Sequence, residues 1–418
     1  YEGDALCAQC HLPSKYADQS HNHHEEQNEE MTCANCHMPS QTYMSVDPRR
    51  DHSFRVPRPD LSIELGSPNA CNNCHSIETP QWAANKITEW FPEGGLGTPH
   101  YGQAINAGRI WSAERTPLLL ALVNDPSLPS IVRATGIRLL ANQLDDLSLS
   151  TIENLLYLNE PLIQLEGLAA LNNVDIDTRI NFAQRFLTSP LRALRIEAAK
   201  LLLPARSELS ERRQADLDKA LNEYLDSQDF NSERGEGLLS LGNTFVQMNN
   251  LAEAEDTMRA AINNEPYFTA AYVNLADMYR QTGRENEAEI LLRSAIENNP
   301  QNPAGYFALG LSLVRSGQAR EAIEMLDNAA TLAPNEPYYH YVTGIALNSN
   351  GETEAGLAKL HVTHNQFPGH RDTLFALATI YRDEENWNAA ELYTRRLLTI
   401  SPSDGPAQVL LTEIEDIT

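Results

Sequence analysis

No run of residues approaches the ~18 apolar residues that a membrane-spanning helix needs. The hydrophobic fraction, 42%, is nevertheless enough for packed cores. Positive charge is scarce: 31 Lys and Arg stand against 57 Asp and Glu, a formal net charge of −26. That deficit argues against nucleic acid or an anionic membrane as partner and suits a basic partner protein, or simply solubility. Tyr1-Glu2-Gly3-Asp4 has neither a basic n-region nor an apolar h-region, so no secretory signal stands there. Helical and strand periodicity is nearly missing from Tyr1 to about Gly102, a stretch rich in His, Pro, Asn and Cys. Such composition ordinarily reads as loop. Cysteine is missing altogether beyond residue 74.

The six cysteines that are present fall into one pattern. Cys7-Ala-Gln-Cys10-His11, Cys33-Ala-Asn-Cys36-His37 and Cys71-Asn-Asn-Cys74-His75 repeat Cys-x-x-Cys-His three times and use every cysteine. This is the attachment signature of c-type haem. Two thiols so spaced reach the two vinyl groups of one porphyrin, and the adjacent histidine is held under the iron as proximal ligand. Zinc knuckles also use Cys-x-x-Cys but have no reason to demand a histidine directly after the second cysteine three times. A disulfide framework fails on the same histidine, and on a length of 418 residues, since such scaffolds are small. The expected cofactor is three covalently attached haem c groups, with His11, His37 and His75 proximal. Covalent haem attachment implies export, to the periplasm or outside the cell, with any leader removed.

Each closed iron needs a second axial ligand. His52, His100, His21, His23 and His24 are the distal candidates, so supply exceeds demand for bis-His ligation. Met31, Met38 and Met44 are rivals, and Met38 is poorly placed for its own haem because it follows His37. Arg49, Arg50, Arg55 and Arg58 form a basic cluster stiffened by Pro57 and Pro59. They are read as partners of the haem propionates, against the plainer reading of an exposed charged loop. Haem discs would supply the core that the side chains of this segment lack.

From about Arg109 the pattern becomes amphipathic helix. Leu140, Leu171 and Leu202 recur every 31 residues, and Pro129, Pro161 and Pro190 punctuate helix starts. This resembles HEAT-type helical repeats, with an irregular helical bundle as the alternative. Near Gly235 a second period begins. Pro266, Pro300, Pro334, Pro368 and Pro402 are each 34 residues apart. Ala254, Ala288, Ala322, Gly356 and Ala390 keep the same step, as do Gly283, Gly317 and Gly351 at the turns. The small residues let paired helices approach, and the proline ends the second helix. The period and positions resemble the tetratricopeptide repeat. The fourth unit departs most, with Thr343, Gly356 and Thr363. His340, His361, His364 and His370 lie in or beside it and are expected at the surface rather than in a metal or distal-haem site.

The expected fold is therefore mostly α. An irregular haem-wrapping domain spans 1–102, HEAT-like repeats 103–230, five tetratricopeptide repeats 235–404, and a capping helix 405–418. The whole resembles exported multihaem c-type cytochromes that carry tetratricopeptide repeats. The resemblance runs through Cys33 to Pro39, Tyr43-Met44, the Arg-rich stretch Asp47 to Leu61, and Pro68-Asn69-Ala70-Cys71. It implies a non-enzymatic electron carrier whose solenoid docks a redox partner or self-assembles, even into an extracellular conducting filament. A haem-based reductase of nitrite, hydroxylamine or a sulfur oxyanion, with an open iron, is the alternative. A third reading is a scaffold in which the repeats do the work and the haems stabilise a small domain.

Overall fold

A computed structural model describes residues 3–24, 31–94 and 96–417. The chain divides into two compact units, Tyr1–Gln103 and Ala104–Thr418.

The first unit is built from short helices: α1 (Pro13–Tyr16), α2 (Gln19–Asn22), α3 (Cys33–His37), α4 (Pro59–Leu65), α5 (Cys71–Cys74) and α6 (Pro80–Trp90). Between α3 and α4 lies an antiparallel hairpin, β1 (Ser40–Tyr43) with β2 (Asp47–Arg50), in a register from Ser40↔Arg50 to Tyr43↔Asp47. Helix α6 starts where its sequence says it should: the Thr79 side chain caps the Trp82 N–H at 3.2 Å, and Pro80 opens the first turn. Helix α4 packs on α6. Among the described residues up to His100, only Pro59, Leu61, Ser62, Ala83 and Ala84 are buried. Large apolar side chains remain outside, including Leu6, Leu12, Val46, Phe54, Val56 and Ile77. Protein atoms alone thus bury little apolar surface in this unit.

The second unit is a helical solenoid. It opens with α7 (Tyr101–Arg109), whose first turn belongs to the preceding unit. Then follow α8 (Arg115–Asn124), α9 (Ser130–Ala141), α10 (Asp146–Leu155), α11 (Pro161–Ala170), α12 (Ile176–Ala183) and α13 (Arg192–Leu202). The 31-residue period places α9, α11 and α13 in line; α11 packs on both of the others, and Leu140, Leu171 and Leu202 are fully buried. Asp145 and Asp175 cap α10 and α12 through the N–H groups of Ser148 and Thr178. The long α14 (Glu211–Asp229), capped by Ser210, leads into the array.

Five helix pairs follow: α15 (Gly235–Gln247) with α16 (Leu251–Asn264), and α17 (Thr269–Gln281) with α18 (Glu285–Asn298). Next are α19 (Pro303–Arg315) with α20 (Ala319–Leu332), and α21 (Pro337–Ser349) with α22 (Thr353–Gln366). The fifth pair is α23 (Arg371–Asp383) with α24 (Trp387–Ile400), and α25 (Gly405–Glu415) packs on both. Every periodic proline stands two residues after the end of its second helix. The turn between paired helices needs a left-handed residue: Gly283, Gly317 and Gly351 have φ of 75°, 77° and 85°. In the first and fifth pairs the same register position is Asn249 and Glu385, at φ 58° and 57°. The pairing is tight because one partner is small. A Cβ added at Gly310 or Gly344 would meet Leu326 or Leu360 at 2.7 Å.

Within this unit the solenoid also meets itself. The Gly369 N–H donates to the Trp111 carbonyl at 2.7 Å, and the Arg371 N–H to Oε1 of Gln143 at 3.0 Å. The chain just before α23 thus rests on the segment around α8 and α9.

Candidate functional site

The three Cys-x-x-Cys-His motifs each fold as a single helical turn: the 3-10 turn Cys7–Gln9, then α3, then α5. A turn sets residues three apart on one face, so each cysteine pair is presented together. The His11 N–H donates to the Cys7 carbonyl at 3.0 Å, and the His75 N–H to the Cys71 carbonyl at 2.9 Å. Helix α3 is capped twice: Thr32 accepts from the Asn35 N–H at 3.2 Å, and Asp4 from the Cys33 N–H at 2.9 Å. The second bond ties the first motif's segment to the second. Asn72 holds the turn after α5 by donating to the carbonyls of Glu78 at 2.8 Å and His75 at 3.2 Å. All six thiols are free. Burial, with Asp4 beside it, pushes Cys33 up to about 11. Burial raises Cys36 and Cys71 too, with Cys74 adding to Cys36 and Cys36 to Cys71.

The histidine cluster after α2 reaches two motifs. The ring of His21 lies 6.1 Å from that of His37, nearly parallel at 16°, and His24 lies 6.0 Å from His75 at 32°. His23, between them, is left-handed at φ 52° and stacks on Trp90 at 4.5 Å, with its Nε2 buried and unbonded. His37 donates Nδ1–H to the Arg55 carbonyl at 2.8 Å, and His24 donates Nδ1–H to the Asn22 carbonyl. His11 has Tyr16 against it at 5.4 Å. Nδ1 of His100 accepts the Gly102 N–H at 3.0 Å, and His52 is exposed in a turn. Of the methionines, Met44 is exposed at a left-handed position.

The four arginines have protein partners. Arg49 pairs with Asp47 at 2.7 Å and lies over Tyr43. Arg50 donates to Asn35 Oδ1 at 2.8 Å and the Met38 carbonyl at 3.2 Å. Arg55 reaches the Tyr101 hydroxyl and lies 3.5 Å from Asp51. Arg58 grips Asp60 at 2.7 Å and the Thr98 carbonyl at 3.0 Å, which helps hold Asp60 down at about 2. These contacts pin the loop between α3 and α4.

In the array, His340, His361 and His364 near the fourth pair are half-buried, and His370 is buried. His361 bonds the hydroxyls of Tyr381 at 2.6 Å and Tyr393 at 3.1 Å, and His364 lies against Arg396 at 3.2 Å. His370 is buried, bonds Thr373 at 2.8 Å, and faces Trp111 with ring centres 5.1 Å apart. Burial pushes His370 down to about 4, with Arg115 adding to the shift and Asp372 opposing it. The expectation of surface histidines fails because they sit at junctions. His361 and His364 face α24 of the following pair, and His370 faces the start of the solenoid. Sequence reasoning also missed Arg115, almost fully buried, which lies over Trp111 at 4.5 Å and donates to the Leu139 carbonyl at 2.6 Å. Its sequence signal was a basic residue, directly after Glu114, opening an apolar run.

Family models described as tetratricopeptide repeat match residues 239–303, 307–362 and 373–407. Among solved structures, the chain is similar to YrrB, described as a TPR protein with an unusual peptide-binding site. That match has 22% identity and a TM-score of 0.35, covering 44% of this chain and 96% of that one. It is also similar to PilW, described as a widely conserved type IV pilus biogenesis factor, at 16% identity and TM-score 0.40, covering 51% and 98%. Cut9–Hcn1 of the APC/C hetero-tetramer matches at 14% identity and TM-score 0.38, covering 76% and 65%. No curated protein matches the chain. The C-terminal part therefore carries tetratricopeptide repeats in a helical solenoid, a module for protein–protein interaction that is typically non-enzymatic.

These findings correct the expectation of a multihaem electron carrier, and with it the conducting filament and the open-iron reductase. The recognised part of the chain is an interaction array, and among the described residues no group of three or more His, Cys, Asp or Glu is placed to hold a metal ion. Function is accordingly assigned from the repeats. No helix among the described residues is long and apolar enough to cross a membrane.

Proposed function

We propose that this chain is a docking scaffold whose repeat array binds another polypeptide, a separate protein or a second copy of itself. The tetratricopeptide array carries this reading: five stacked pairs expose a long continuous surface that no single helix offers. Among its exposed side chains is Tyr338, on a first helix beside Phe307, ring centres 5.7 Å apart. A photo-crosslinking residue at Tyr338 is expected to form an adduct with the partner, while one at the exposed Ile290 of a second helix forms none. The mass of the adduct distinguishes a second copy from another protein. Absence of any adduct from first-helix positions, in a chain that remains helical, rejects the reading.

The scaffold reading gives the first unit a stabilising cofactor. Three covalent haem c groups at residues 7–75 are supported by the three motifs, the six free thiols and a unit with five buried residues among those described below position 101. Domains so poor in core are usually stapled by metal or disulfide. Cys7 with Cys10, Cys33 with Cys36, and Cys71 with Cys74 would hold one group each. In each attachment a thiol S–H adds across a vinyl: sulfur bonds one carbon, hydrogen the other, and nothing leaves. The group supplies an apolar disc and an iron that takes histidine nitrogen. Such attachment accords with an exported chain, in the periplasm or beyond the cell. A pyridine haemochrome assay is expected to find three haems per chain and one fewer in Cys33→Ala/Cys36→Ala; a haem-free protein from a haem-attaching host rejects the cofactor.

A further inference from the structure

Two of the three motif histidines face a second histidine at one common spacing, and this inference rests on the haem reading above. A nitrogen-to-metal bond of about 2.0 Å on each side, with about 1.1 Å from nitrogen to ring centre, places two imidazoles sharing an iron about 6.2 Å apart between centres. His21 and His37 stand at 6.1 Å, and His24 and His75 at 6.0 Å. Direct stacking brings rings closer, as His23 on Trp90 shows at 4.5 Å. A direct imidazole–imidazole hydrogen bond, at about 2.9 Å between nitrogens, would set centres about 5 Å apart. The observed gaps are too wide for either.

The tautomers point the same way. Histidines that bind metal usually donate their other ring N–H to a carbonyl or carboxylate, which leaves a defined nitrogen free. His37 does so through Nδ1 to the Arg55 carbonyl, and His24 through Nδ1 to the Asn22 carbonyl. One member of each pair is therefore oriented with Nε2 available. The competing histidines are less suited. Nδ1 of His100 accepts the Gly102 N–H, so a neutral ring carries its proton on Nε2 and closes that nitrogen to iron. His52 is exposed, and His23 is occupied by Trp90.

Local backbone explains how neighbours serve different motifs. Asp18 caps α2 by accepting the Ser20 N–H at 2.8 Å, which fixes the turn bearing His21. The next residue but one, His23, adopts φ 52°, uncommon for a residue with a side chain. That left-handed step turns the chain between His21 and His24 and sends them to α3 and α5 respectively. We propose that His21 with His37 and His24 with His75 are the axial pairs of the second and third haems, one short segment thereby clamping two motifs.

The test uses the full chain made in a host that attaches haem c, comparing wild type with His21→Ala, His24→Ala, the double variant of these two, and His23→Asn, in which asparagine tolerates the left-handed turn. Haem content by pyridine haemochrome tests the cofactor; spin state by electron paramagnetic resonance and carbon monoxide uptake by the reduced protein tests the pairing. His21→Ala and His24→Ala are each expected to add one high-spin, carbon monoxide-binding haem per chain relative to wild type. The double variant adds two and His23→Asn none, at unchanged haem content. If either alanine variant keeps the wild-type spectrum with full haem content, the pairing is wrong. Should an alanine variant lose haem or helicity, His21→Met and His24→Met decide instead. Each is expected to show the sulfur-to-iron band of a His/Met haem, and its absence overturns the assignment.

Discussion

His370 makes the solenoid acid-sensitive at one identifiable place. Only 4% of the residue is exposed, its Nδ1 is paired with the Thr373 hydroxyl, and its ring abuts Trp111. Protonation there places a cation in a site that already holds the Arg115 guanidinium, and the Asp372 carboxylate compensates only in part. The result is a histidine pushed down from its ordinary 6.5 to about 4. The unfolded chain takes up a proton as pH falls through 6.5, whereas the folded chain resists until near 4, so unfolding gains over that window. Stability is fully present above the unfolded value and declines as pH falls between the two. At about 1.4 kcal/mol for each pH unit crossed in that window, the loss reaches about 2 kcal/mol at pH 5 and about 3 kcal/mol below pH 4.

Denaturant unfolding followed by far-ultraviolet circular dichroism at pH 7, 6 and 5 measures this on the full chain. Wild type is expected to lose about 2 kcal/mol more than His370→Gln between pH 7 and 5, because glutamine keeps a polar side chain there but cannot titrate. The variant is less stable at pH 7, and the two curves converge as pH falls. Parallel curves would refute the reasoning, since they would mean that the proton finds His370 equally accessible in both states.

Gly356→Ala should destabilise the fourth repeat although alanine is the rule at this register. A Cβ there would lie 2.8 Å from the Gly344 carbonyl oxygen and 3.0 Å from the Asn348 nitrogen, both backbone. Overpacking costs about 1–3 kcal/mol against a helix-propensity gain of about 1, so thermal melting should show a lower midpoint. Leu171→Ala, at the centre of the 31-residue register and fully buried, should cost about 2–5 kcal/mol in denaturant unfolding. Leu162→Ala, at an exposed position of the preceding helix α11, should cost under about 1. Glu255 is held down at about 2 by Arg284, Tyr279 and Arg259, with Arg284 at 2.6 Å. Glu255→Gln should lower stability at neutral pH by about 1–2 kcal/mol, and the difference from wild type should shrink as pH falls toward 2.

The repeat array was legible almost residue by residue because its signals are local and periodic. Adding or subtracting 34 from the turn glycines reaches Asn249 and Glu385, which adopt the same left-handed turn without being glycine. The 31-residue register was legible for the same reason, in three buried leucines. The hairpin β1–β2 was not, since both strands are mostly exposed and leave no alternation of apolar and polar residues to read. The histidines of the fourth repeat were misjudged because their burial comes from the neighbouring pair and from Trp111, not from their own helix. The cysteine motifs announce themselves, whereas the approach of His21 to His37 and of His24 to His75 depends on one left-handed residue and on which helix stands opposite. The arginines read as propionate partners are held by Asp47, Asn35, Asp51, Tyr101 and Asp60, contacts set by a loop path that spacing does not encode.

A solenoid is ordinarily one-dimensional: each repeat touches its neighbours, and stability is a sum of nearest-neighbour terms that lets the ends fray. Here that description breaks at one point. The bonds from Gly369 to Trp111 and from Arg371 to Gln143 join residues more than 220 positions apart, and Arg371 also pairs with Asp404 at 2.7 Å. Closing so long a loop costs entropy only once, and the cost grows slowly with length. Once it is met, the segment around α8 and α9 and the start of the fifth tetratricopeptide pair loosen together. A docking surface on the intervening repeats is then carried on a span fixed at both ends, which reduces the ordering cost that a partner must offset on binding. His370 stands at that closure, so the group that titrates and the contact that stiffens the array are the same.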